Sequence, residues 1–183
     1  MSLRHGFKAE ANRLAVLMRR ELKLHPASPL APARLAEHLM IPISTFSSAI
    51  SADARIGKLL TSEREAVSAL TVHAGPRRQI WVNDSHDEGR QNSSTGHEIA
   101  HALLQHPPGP AFDARGCRHW DGDVEDEANW LAGNLLITNE AAWSIARKQL
   151  SPDVAMLRYG VSREMLTWRM NMSGARARRD RSA

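Results

Sequence analysis

At 183 residues, 42% hydrophobic and 24% charged, the chain has the balance of one soluble domain with at most a small appendage, and lacks the length for two full-sized domains. No stretch approaches the roughly 18 uninterrupted apolar residues of a membrane span and the N-terminus lacks the apolar run of a signal peptide, so a membrane partner is excluded and the cytoplasm is expected. Cys117 is the single cysteine, which excludes an internal disulfide and a Cys-based metal site, while the net charge of +4 and pI near 9.8 gather at Arg4, Lys8, Arg13, Arg19, Arg20 and Lys23 and at Arg176, Arg178, Arg179 and Arg181 as solvated arms.

Taken in order, Phe7–Leu24 repeats apolar residues at Leu14, Leu17, Met18 and Leu22 with charged residues opposite, which predicts a covering helix. His25–Pro32 is a proline-rich connector, and Pro32 opens a second helix to Met40 with Leu35, Ala36 and Leu39 as its buried stripe. Ile41–Ile43, interrupted by Pro42, is at best an edge strand. Thr45–Leu60 reads as loop with a short helix, and Ser62 followed by Glu65 is a capping-box signature for another. Leu70–Ala74 and Gln79–Asn83 form a hairpin about Gly75 and Pro76, with Ile80 and Val82 alternating against polar neighbours. Asp84–Gln91 is a polar loop in which His86 is solvated.

Gly96–Gln105 carries the chemistry. It sets His97 and His101 four residues apart, on one face of a helix, so both imidazoles can grip one ion. Glu98 stands beside the first and can reach a water without occupying the metal, the pattern of a zinc hydrolase. Ile99, Ala100, Ala102, Leu103 and Leu104 make the helix apolar; Ser93, Ser94 and Thr95 are N-cap candidates, and Pro107 and Pro108 stop it. His106–Asp123 follows as a long rim loop in which Arg115, Cys117 and His119 read as surface residues.

Catalytic zinc takes three protein ligands and keeps a position for water. The third comes from Val124–Ile137, a second apolar helix, where Glu125, Ala128, Asn129, Ala132 and Leu136 share a face and the small alanines allow close approach. Glu125 is the expected ligand and Asn129 orients a ligand imidazole, whereas Glu127, about 200° around the axis, should face outward.

Ile80-Trp-Val-Asn83, Ser94–Leu104, Glu125–Ile137 and the Pro32–Ile43 segment together resemble the ImmA/IrrE family of bacterial metallopeptidases. The resemblance implies an α+β, minimal zincin-like fold, mostly helical with a small three-stranded sheet. It places the metal on His97, His101 and Glu125 and the catalytic role on Glu98. It also implies Zn2+, with Mn2+ accepted by the same donors, and a helix-turn-helix repressor as the protein cut, releasing stress, phage or mobile-element genes. Thr138 departs from the family, which usually has Pro there.

Ser151–Arg169 reads as two short helices about Tyr159–Ser162, with Ser162 capping the second. This helix-turn-helix-like pair suits a DNA groove, with weak phosphate contacts from Arg163, Arg169 and the arginine tail, or a hairpin packed on the catalytic domain, or a dock for the repressor. The expected division is residues 1–145 as the metallopeptidase domain, 146–172 as the helical appendage and 173–183 as a disordered basic tail. A DNA-binding regulator with a structural metal, or a non-cleaving partner-binding module, is the alternative function; a structural site would be closed by four protein ligands.

Overall fold

The computed structural model describes residues 3–52, 67–107 and 122–181. The first helix, α1 (Phe7–Glu21), buries Phe7, Ala11, Ala15 and Met18, a stripe of mostly small residues that lets it lie close to the core. Its inner face is therefore rotated from the expected one: Leu17 is 44% exposed, while Arg19, expected in a solvated arm, is fully buried. Pro32 begins α2 (Pro32–His38), which buries Leu35 and Ala36 as its spacing predicts.

Past Pro42 come the edge strand β1 (Ile43–Thr45) and the short helix α3 (Phe46–Ala52). The expected hairpin is β2 (Ala69–Ala74) and β3 (Arg77–Val82), turning at Gly75 and Pro76. Gly75 has φ 59, a backbone conformation that glycine adopts without strain. The sheet has the order β1-β3-β2, with β1 parallel and β2 antiparallel to β3. Thr71 pairs with Ile80 and so shares the face that Ile80 buries against the helices. The capping box at Ser62 and Glu65 and the rim residues Arg115, Cys117 and His119 lie outside the described residues.

The central helix, α4 (Glu88–Leu103), starts five residues ahead of the expected Ser93-Ser94-Thr95 caps. Asp87 is the cap, accepting from the Arg90 amide at 3.0 Å. Ser93 and Thr95 instead bond back to the carbonyls of Gly89 and Gln91, at 2.7 and 2.8 Å, the usual outlet for hydroxyls inside a helix. Alongside α4 lies α5 (Gly122–Leu136), with Ala128 and Ala132 buried between neighbours. Thr138 then caps α6 (Asn139–Arg147), its hydroxyl accepting from Ala141 and donating to the Pro26 carbonyl, both at 2.9 Å.

Ser151 and Ser162 cap α7 (Pro152–Tyr159) and α8 (Arg163–Met172), the expected helical pair. On α8, Leu166, Arg169 and Met170 are buried, and Trp168 meets Trp130 edge-on at 5.5 Å. Gly133 makes this approach feasible, since a Cβ there would lie 2.3 Å from Trp168 Cζ3 and 2.8 Å from Arg169 Cδ. Arg169 is 1% exposed and bonds to the Ile137 carbonyl, Asn134 and Asn139, so it is no phosphate contact. The tail expected to be disordered forms α9 (Ala175–Asp180), which buries Ala175 and lays Arg178 over the Trp143 ring at 4.9 Å.

One apolar cluster joins α1, α2, the sheet, α4 and α5 as far as Leu135; a second joins Leu136 and Ile137 to α6–α9. Two buried guanidiniums mark the seam at the C-terminal end of α5. Arg19 donates to the carbonyls of Leu135 and Leu136 at 2.9 and 3.2 Å, and Arg169 to that of Ile137 at 2.8 Å. These carbonyls sit at the negative end of the helix dipole and lack helical partners. Burial is the main reason both guanidiniums fall to about 10. Among the described residues no helix is long and apolar enough to cross a membrane.

Candidate metal centre

The packing of α4 against α5 brings the first turn of α5 to the last two turns of α4. His97 Nε2 and His101 Nε2 lie 2.9 Å apart, with Glu125 Oε2 3.2 Å from the first and Oε1 3.6 Å from the second. Ligand atoms about 2.0–2.2 Å from one ion in a tetrahedral shell lie roughly 3.3–3.6 Å from each other. The observed spacings straddle the lower end of that range, so this donor triangle fits such an ion. Among the described residues, His97, His101 and Glu125 form the cluster able to hold a metal. Two imidazoles and a carboxylate accept Zn2+ and also Mn2+.

The electrostatics follow from the same contacts. His101, and then His97, hold the Glu125 carboxyl well below the usual carboxylate range, against the opposing effect of burial. Glu125 is consequently anionic at neutral pH. For His97, burial is the largest influence and pushes downward, yet Glu125, Glu98 and Asn129 together leave the imidazole above its ordinary value. Such a concentration of negative charge beside imidazoles favours a cation.

Asn129 lies where α5 carries it one turn beyond Glu125, its Oδ1 3.0 Å from His97 Nδ1. A carboxamide oxygen only accepts, so Nδ1 carries the proton and the Nε2 lone pair faces the triangle. Glu98 stays outside the triangle. Its Oε2 accepts from the Thr71 hydroxyl at 2.6 Å, a short, charge-assisted bond that ties the helix to the strand beneath it.

Three residues of this site were not expected. Thr71 was hidden because its contact joins residues 27 apart; a polar residue on the buried face of a predicted strand was the available signal. His106 Nδ1 lies 2.9 Å from His101 Nδ1. Burial first, and His101 second, push His106 down against the pull of Glu127. Glu127, expected to face outward, is instead only 18% exposed, 3.1 Å from Arg4 Nε and 3.7 Å from His106 Nε2. Glu127 does lie on the side of α5 away from Glu125, but the segment before α1 covers that side through Arg4. His86, expected to be solvated, is partly buried, its Nε2 3.4 Å from Asn83 Nδ2.

Comparison with curated proteins and with solved structures returns no significant match. Residues 53–171 match the family model described as the IrrE N-terminal-like domain, peptidase M78. The match spans the helix bearing His97, Glu98 and His101, the helix bearing Glu125 and Asn129, and nearly all of α8. With more than half of its length inside that family model, the chain belongs to the IrrE N-terminal-like, M78 family of metallopeptidases.

Proposed function

We propose that this protein is a metal-dependent endopeptidase that cuts a helix-turn-helix repressor in the cytoplasm and thereby releases stress, phage or mobile-element genes. The observation that carries the peptidase reading is a division of labour between two carboxylates. Glu125 belongs to the donor triangle, while Glu98, next to His97, is held apart from it by Thr71.

His97, His101 and Glu125 would hold a Zn2+ or Mn2+ ion, which when bound acidifies water and polarises a peptide carbonyl. The Thr71 hydroxyl fixes Glu98 through Oε2, and Oε1 takes the proton of the attacking water and returns it to the leaving amine. Asn129 keeps the His97 proton on Nδ1. Among the described residues three donors converge rather than four, which supports a hydrolytic site over a closed structural one. Support for the repressor as substrate comes from membership of the family and the resemblance to ImmA/IrrE proteins.

The purified protein should be mixed with a purified helix-turn-helix repressor from its own organism, with and without a chelator. Discrete fragments are expected from the metal-loaded protein and none after chelation. Glu98→Gln should keep the metal and lose cleavage, and His101→Ala should lose both. A Glu98→Gln protein with wild-type turnover would refute the assignment.

A further inference from the structure

An imidazole that offers one nitrogen to a metal needs its other nitrogen held, because that contact sets both tautomer and ring orientation. Asn129 meets this need for His97. For His101 the contact comes from His106, just beyond α4. Gln105 turns with φ 55, and the His106 amide donates to the His101 carbonyl at 3.1 Å. The two rings then lie edge-on with centroids 5.0 Å apart.

We infer that His106 is a positioning residue for His101, kept in one tautomer by Glu127 and Arg4; this rests on the metal-centre reading above. The proton count leaves a single arrangement. With Nε2 of His101 facing the triangle, its Nδ1 carries the proton and donates to His106 Nδ1 at 2.9 Å. His106 must then carry its own proton on Nε2, 3.7 Å from Glu127 Oε2. Glu127 in turn faces Arg4 Nε through its other oxygen, at 3.1 Å. Glu127 acts on the His106 proton through its charge, at ion-pair rather than hydrogen-bond distance, and neither imidazole needs an extra charge. His106 is only 11% exposed, so water competes poorly for the His101 contact.

The test compares the full-length wild type with His106→Phe, which keeps a ring but offers no acceptor, and His106→Asn, whose oxygen can replace Nδ1. Zn2+ affinity is read by competition with a chromophoric chelator, and Co2+ reports ligand geometry through its visible spectrum. His106→Phe should bind Zn2+ about 10–100-fold more weakly and alter the Co2+ bands. His106→Asn should return both readouts to near the wild type. Melting curves run alongside separate lost packing from lost positioning. Wild-type affinity and spectrum in His106→Phe, or a folded His106→Asn as weak as His106→Phe, would overturn the inference. A wild type that binds no Zn2+ would instead bring down the metal-centre reading, and this inference with it.

Discussion

Gly133→Ala offers a test in which two effects oppose each other in sign. On an exposed helix, Ala in place of Gly stabilises by about 1 kcal/mol, because glycine loses more backbone freedom on folding. At position 133 the added methyl meets Trp168 Cζ3 at 2.3 Å and Arg169 Cδ at 2.8 Å, well inside the 3.5–4.0 Å at which carbon atoms rest. Neither neighbour retreats cheaply. Trp168 is wedged against Trp130, and Arg169 is fixed by the Ile137 carbonyl, Asn134 and Asn139.

Overpacking of this kind costs about 3 kcal/mol at the severe end of its usual range. Subtracting the gain in helix propensity leaves a net loss of about 2 kcal/mol. For a chain of this size, each kcal/mol is worth about 2–4 °C, so the melting midpoint should fall by about 4–8 °C. Thermal unfolding followed by circular dichroism measures it. A Gly133→Ala protein melting at or above the wild type would show that α8 does not press on α5 as described.

Other outcomes follow from the site and the core. Thr71→Val removes a charge-assisted bond worth about 1.5–3 kcal/mol; kcat should fall about 10–150-fold with KM little changed, and Thr71→Ser should recover most of it, as cleavage kinetics would show. Zn2+ at 100 times its Kd should stabilise the fold by about 2.7 kcal/mol, raising the melting midpoint by about 5–11 °C, and a chelator should reverse the gain. Burial holds the Tyr159 phenol above its ordinary 10.0, with Arg158 and Arg19 pulling only partly back. The unfolded phenol therefore ionises first, and this contribution to stability is intact below pH 10 and lost as pH rises through the folded value. Tyr159 is the single tyrosine, so a phenolate absorbance titration reads it directly; a midpoint at the ordinary value would contradict the buried placement.

The motif helix was legible because its information is local: four-residue spacing fixes which side chains share a face, whatever surrounds them. Glu125 and Asn129 followed from the same geometry, helped by the alanines that mark the packed side of α5. The start of that helix is not legible in the sequence, because Ser93 and Thr95 have cap chemistry but spend it on carbonyls of their own helix. Arg19 and Arg169 read as surface charges because the carbonyls that receive them, 116 and 32 residues away for Leu135 and Ile137, have no signature in sequence. His106 was similarly obscured. It sits past the helix end, and the left-handed turn at Gln105 that returns its ring to His101 is not a glycine.

The pair of guanidiniums at the rear of α5 bears on how loss-of-function variants should be interpreted. Leu136 is 11 positions beyond Glu125, so about 16 Å of helix at roughly 1.5 Å per residue separates the arginine clasps from the acid donor. One clasp comes from α1 and the other from α8, so distant parts of the sequence jointly set where that donor stands. Substitutions at 19 or 169 should surface in an unbiased activity screen although neither side chain is near the donor triangle. Read without the fold, such hits would be mistaken for a remote substrate-recognition surface.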